Sequence, residues 1–392
     1  MRKLIILRLA SLALVTTLFV ACPPAPQGTV TATPPSPTAT STASTVTETT
    51  IAAQKGPRNI ILLIGDGMGV TQISAGMYMN NNQLHLERFP FIGLHKSYSS
   101  DNLVTDSAAG ATAFSAGVKT YNGAIAVDPD TLPVPTILEM AEARGLATGL
   151  VASSSIVHAT PASFIAHNEQ RKNYEEIATD FLKTEIDFFI GGGLKFFENR
   201  KNDDRNLGTE LRSRGYRVEN FITADLTKLR PDPRKNFAFF TANGEPLPKA
   251  SGRDYLLPAS RMAPEFLDAH DRNNQGFFLM IEGSQIDWGG HANDSPYIIS
   301  EMIEFDQVIG EILDFAQRDG ETLVIVTADH ETGGYAINTG SSMGDIKGAF
   351  TSDYHTADLI PVFAYGPGAE QFSGIYENTA IFDKMKKLFG FD

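Results

Sequence analysis

Six short apolar runs constrain this chain more than any other feature: "NIILLIG" (59–65), "ATGLVAS" (147–153), "IDFFIGG" (186–192), "GFFLMIEG" (276–283), "TLVIVTAD" (322–329) and "PVFAYG" (361–366). They lack sustained apolar–polar alternation, so each predicts a strand buried on both faces rather than one with a wet side. Between them, residues 136–145, 174–184 and 300–318 carry apolar positions every three to four residues and predict helices. Strands alternating with helices specify an α/β fold, a three-layer sandwich with a largely parallel central sheet flanked by helices. The stretch 195–275 is more polar and predicts shorter strands and surface excursions. At 392 residues, 42% of them hydrophobic, the chain has ample material for a large core.

The N-terminal 56 residues read differently. Met1, Arg2 and Lys3 precede an apolar stretch that ends at Cys22, the only cysteine in the chain. This is the pattern of a secretory signal rather than of a membrane span. The placement of Cys22 resembles that in a bacterial lipoprotein signal, in which the cysteine is lipidated after cleavage; simple secretion and an uncleaved anchor are the alternatives. With Cys22 acylated, no thiol remains for a disulfide. Residues 23–56 are rich in Pro, Thr, Ser and Ala. They cannot bury enough apolar surface to offset chain entropy, and they predict a flexible linker. The folded domain is expected over 57–392. The protein is expected to be exported to the periplasm or cell surface and held to a membrane by a lipid on Cys22. The net charge of −14 disfavours nucleic acid as a partner.

In open parallel sheets, ligands collect beyond the carboxyl ends of the strands. Three runs end there in acids: Asp66 after 59–65, Glu282 at the end of 276–283, and Asp329 with His330 after 322–328. Asp287 and His291 are four residues apart and share a face in a helical turn. His355 follows shortly before the last run. Asp, Glu and His ligate zinc and magnesium, and so much negative charge on one rim calls for cations. Ser107 opens "SAAGATAFSAG", where a helix begins and backbone N–H groups form an anion site. A serine there is either a helix cap or a nucleophile. As a nucleophile it needs a base or a metal to lower its pKa. Small neighbours let a substrate and a metal approach closely.

The blocks "IGDGMG", "TDSAAGATAFSAGVKTYNGAI", "HATPASFIAHNEQRKNYEEIA", "EGSQIDWGGHAND", "TADHETGGY" and "HTADLIPVFAYGPGAE" resemble, in that order, those of alkaline phosphatases. The resemblance spans about 57–390. It implies hydrolysis of phosphate monoesters through a phosphoserine on Ser107, with two zinc ions, one magnesium, a broad substrate range and an alkaline optimum. By the same resemblance, Asp287, His291 and His355 hold one zinc. Asp66, Asp329 and His330 hold the zinc that activates Ser107. Asp66, Thr160 and Glu282 hold the magnesium. Arg171 grips phosphate oxygens as a planar fork and Asp106 steers it.

His158 and Trp288 stand where some members have Asp and Lys. An imidazole suits zinc or cobalt better than magnesium, so either is an alternative for the third metal. Trp288 brings no positive charge, which predicts weaker ground-state binding of phosphate. Only residues 331–354 separate the Asp-His pair from His355, where many members carry a long insertion used in dimer contacts, so the family's usual homodimer is less secure here. A phosphodiesterase of the same superfamily and a non-catalytic phosphate- or metal-binding lipoprotein are the competing functions.

Overall fold

The structure, a computed structural model, describes residues 56–391; the signal sequence and all but the last residue of the linker lie outside the described residues. Among the described residues, ten strands form one sheet: β1 (Asn59–Gly65), β2 (Phe91–Lys96), β3 (Ala147–Ser155), β4 (Phe188–Gly192), β5 (Arg217–Asn220), β6 (Phe237–Phe240), β7 (Phe277–Gly283), β8 (Thr322–Thr327), β9 (Leu359–Tyr365) and β10 (Gly374–Glu377). Their spatial order is β10-β2-β9-β8-β1-β7-β3-β4-β6-β5. Neighbours are parallel except at β9, which runs antiparallel to both β2 and β8. The six expected strands are present, and the last of them, β9, is the antiparallel one. Its start at Leu359 is exposed and Phe363 is only half-buried.

Strand β1 shows why an unbroken apolar run is required. Ile60, Leu62 and Ile64 pack on one face with Ala108, Ala111 and Phe114 of helix α2 (Ser107–Ala116). Ile61 and Leu63 pack on the other face with helices α3 (Leu256–His270) and α5 (Ser295–Asp319). Helix α1 (Val70–Met79) joins α3 and α5, and the C-terminal α6 (Thr379–Phe389) lies on the side of α2. The architecture is therefore helix–sheet–helix. Helix α5 starts five residues before the expected 300, because the Asp294 side chain accepts the Tyr297 N–H and Pro296 sits in the first turn.

The central registers bring the acids together. Ile64 of β1 lies opposite Glu282 of β7 on one side and Thr327 of β8 on the other. Asp66, Glu282 and Asp329 thus emerge at one edge of three adjacent parallel strands. Short helix α4 (Gln285–His291) follows β7 and carries Asp287 and His291 on one face. A two-stranded ribbon pairs His355 with Thr332 and so returns His355 to the same edge.

Candidate active site

Asp106, not Ser107, caps α2. Its Oδ1 accepts the Ala109 N–H at 3.0 Å, and Ser107 is the first helical residue. The cap expected as one role of Ser107 is thus filled by its neighbour, which leaves the serine hydroxyl uncommitted to its own helix. Ser107 Oγ lies 3.4 Å from His330 Nε2. Arg171 Nη1 donates to Asp106 Oδ2 at 2.9 Å. Serine, arginine and the outward N–H groups of α2 therefore converge.

The small residues that follow Ser107 have a packing reason. A Cβ on Gly110 would stand 2.9 Å from the Asp329 Cβ. Gly67 is constrained twice: its φ is +73°, and a Cβ there would come within 2.7 Å of the Asp287 Cα and the Thr332 hydroxyl.

Among the described residues, three sets of donor atoms each lie within 4.8 Å of one another: Asp287, His330 and His355; Asp66, Asp329 and His330; and Asp66, His158 and Glu282. His291 joins the first, with its Nε2 3.1 Å from His355 Nε2 and 3.3 Å from Asp287 Oδ1. His291 Nδ1 faces the Asp353 carbonyl at 2.7 Å and His355 Nδ1 faces the Thr105 carbonyl at 2.8 Å. A carbonyl only accepts, so each Nδ1 carries the proton. Each ring then turns its Nε2 toward the other beside the Asp287 carboxylate, an arrangement that a shared cation stabilises. The oxygens agree. Both Oδ atoms of Asp66, Asp329 Oδ2, Glu282 Oε1 and Thr160 Oγ1 are buried without a hydrogen bond of ordinary geometry. Such orphans are costly in a dry interior unless they ligate. The donor set fits divalent cations.

Without cations, burial and mutual repulsion dominate the electrostatics. Burial, then Asp329, Asp287 and Glu282, hold Asp66 well above the carboxylate range. Burial pushes Glu282 up to about 8 and, with Asp287, Asp329 to about 7. Burial pushes His158 down to about 3, and burial together with His355 lowers His330 strongly.

All the expected residues therefore reach one edge of the sheet. Trp288, half-buried, meets His158 edge to face at 6.0 Å between ring centroids. Sequence reasoning missed several others. Thr332 Oγ1 donates to Asp287 Oδ1 at 2.5 Å and stands 3.2 Å from His330 Nδ1. Ser154 donates to Glu282 Oε2 at 3.2 Å. Tyr354 stacks on His355 with centroids 4.3 Å apart. Of these only Tyr354, adjacent to His355, carried a sequence signal.

A sequence model of the family described as "Alkaline phosphatase" matches residues 57–348. The chain belongs to the alkaline phosphatase family. It is 35% identical to alkaline phosphatase 3 of Bacillus subtilis, over 83% of this chain and 87% of that one. It is similar to the solved alkaline phosphatase of the Antarctic bacterium TAB5, with 45% identity, a TM-score of 0.80, and 86% of this chain and 99% of that one covered. A variant of that enzyme, with glutamate in place of a histidine and magnesium bound, matches at 44% identity with the same TM-score and coverage. This phosphatase is thus a metal-binding hydrolase of phosphate monoesters. Among its described residues no helix is long and apolar enough to cross a membrane.

Proposed function

We propose that this phosphatase attacks its substrates with Ser107. The single observation that carries the reading is the Ser107 hydroxyl, 3.4 Å from His330 among orphaned ligand atoms, with Arg171 anchored beside it on Asp106. Asp287, His291 and His355 would hold one zinc, Asp66, Asp329 and His330 a second, and Asp66, Thr160 and Glu282 a third metal. When bound, these cations supply Lewis acidity, lowering the pKa of the serine hydroxyl and neutralising charge on the phosphoryl group and the departing oxygen.

The chain's own groups do the rest. The N–H groups at the start of α2 and the Arg171 fork orient the phosphoryl oxygens. Ser107 Oγ gives its proton to solvent and bonds to phosphorus as the phosphorus–oxygen ester bond breaks, and the departing oxygen takes a proton from water to leave as the alcohol. Water then cleaves the phosphoserine to inorganic phosphate and restores Ser107. Recognition concentrated on the phosphoryl group leaves the alcohol loosely specified. The third metal is magnesium in the family pattern, with zinc or cobalt favoured by the nitrogen of His158. The bound magnesium of the relative in which an acid replaces a histidine supports that dependence on donor type.

The same reading includes export by the signal ending at Cys22, a lipid on that cysteine, and the 23–56 linker as a spacer ahead of the catalytic domain, 57–392. Ser107→Ala should abolish turnover of p-nitrophenyl phosphate, and acid quenching of the wild type should trap phosphate on Ser107. Turnover that survives the substitution would refute the assignment. Metal analysis of the purified protein should find three cations per chain.

A further inference from the structure

Asn122 has no part in the chemistry above, yet its side chain joins the two halves of the phosphoryl site. Its Oδ1 accepts the Asp106 N–H at 3.0 Å, and its Nδ2 donates to the Val104 carbonyl at 3.0 Å. One planar carboxamide therefore spans the three residues that lead into Ser107. Its own N–H is held by Asp101 Oδ1 at 3.1 Å. The next residue, Gly123, presents its carbonyl to the Arg171 N–H at 2.8 Å. Beyond it, Ile125 and Asn168 exchange a pair of backbone hydrogen bonds at 2.8 and 2.9 Å. The ring closes through Arg171 Nη1 and Asp106 Oδ2.

We infer that Asn122 is a positioning residue for phosphoryl transfer: it sets where Arg171 stands relative to Ser107. The inference rests on the proposed roles of those two residues. Arg171 has a long, rotatable side chain that is 21% exposed. Its fork meets a phosphate in register with Ser107 only if both ends of the side chain are fixed. Segment 121–125 fixes the backbone end. Asp106 fixes the guanidinium end, and Asn122 fixes Asp106 to segment 121–125. Thr112 of α2 also holds the Ala124 carbonyl and the Ala126 N–H, so the helix stays tied to the segment. Without the carboxamide it is the turn through Asp106 that loses its direct tie, and small misplacements of positioning groups are costly in rate. The residue type follows from the geometry. Only a group with an acceptor and a donor side by side satisfies the Asp106 N–H and the Val104 carbonyl together. Aspartate keeps the acceptor and sets a carboxylate against that carbonyl. Alanine keeps neither.

The test is a double-mutant cycle on the zinc- and magnesium-loaded enzyme, read as KM for p-nitrophenyl phosphate and as the inhibition constant of inorganic phosphate. Asn122→Ala should raise both about tenfold, the order expected for losing hydrogen bonds of ordinary strength. Asn122→Asp should fall between it and the wild type. Arg171→Ala should weaken phosphate inhibition by itself. Adding Asn122→Ala to Arg171→Ala should then change the inhibition constant by less than about twofold, because the group that Asn122 positions is gone. Unchanged phosphate inhibition in Asn122→Ala would overturn the inference. So would losses that multiply in the double variant, since they would mark a general disturbance of the fold. If Asn122→Ala does not fold, Asn122→Asp carries the same cycle with the same criteria. Arg171→Ala with undiminished phosphate inhibition would remove the arginine's proposed role and the inference with it, and that result is read with Asn122 intact.

Discussion

The Thr332 hydroxyl donates to Asp287 and accepts from His330, so one side chain ties a group from one proposed zinc site to a group from the other. Thr332→Val keeps the shape and removes the tie. It should lower zinc affinity by about tenfold, the low end of what such supporting groups contribute, as read by competition with a chelator; unchanged retention would refute the role. His158 belongs to the set with Asp66 and Glu282, and its burial keeps it neutral through the working pH range. A neutral nitrogen disfavours magnesium, so His158→Asp should make activity rise on magnesium addition more than in the wild type. A flat response in the variant would count against a third-site role for His158. Trp288 lies against His158 and brings no charge. Trp288→Lys should tighten inhibition by inorganic phosphate, and an unchanged constant would exclude any charge effect at that position. At this scale the ligand types were legible because acids and histidines at strand ends are conspicuous. Thr332 was not, because its meaning lies in contact with Asp287, 45 positions away, and threonine is an ordinary strand residue.

At the scale of elements, the strands at the centre of the sheet were legible and those toward its edges were not. Burial on both faces forces an unbroken apolar run in β1, β7 and β8. Edge strands β5 and β10 carry mixed, half-exposed residues, and β2 likewise, so they lack that signature. Helix α2 illustrates a conflict between local and global preference. Its Ala/Gly sequence has almost no amphipathic pattern, and all ten residues are buried. Gly110 disfavours helix by up to about 1 kcal/mol relative to alanine, yet a Cβ there would press on Asp329 at 2.9 Å. Gly110→Ala therefore sets a gain in helix propensity against an overpacking cost of about 1–3 kcal/mol. The expected outcome is a protein that folds but binds the Asp66–Asp329–His330 cation more weakly, seen as faster loss of activity during EDTA dialysis. If the variant retained metal as well as the wild type, the contact would not be what keeps this position glycine.

For the whole molecule, the site is a concentration of buried charge that the fold alone does not balance, and this couples stability to pH and to metal. In the cation-free protein Glu282 titrates at about 8 and Asp329 at about 7, with Asp66 also raised. In the unfolded chain these groups ionise near 4. As pH rises above 4 the unfolded state has therefore released protons that the folded state still holds, and stability falls until the folded groups ionise too. The histidines act in the opposite sense. His158 and His330 have lowered values, so below about 6.5 the unfolded chain binds the extra protons and stability rises with pH. At 6.5 each unfolded histidine still holds about half a proton, so a small histidine gain persists to about pH 7.5, the same in loaded and stripped protein, while the carboxylates dominate. Between pH 6.5 and 8 the EDTA-treated protein should accordingly lose about 2 kcal/mol from Glu282 and Asp329 together. Bound cations keep the same carboxylates charged in the folded state, so the loaded protein should show no such loss. The gap in melting temperature between loaded and stripped protein should widen steadily across this interval. A constant gap would mean that these carboxylates are not what the cations neutralise, and the proposed ligand set would have to be reassigned.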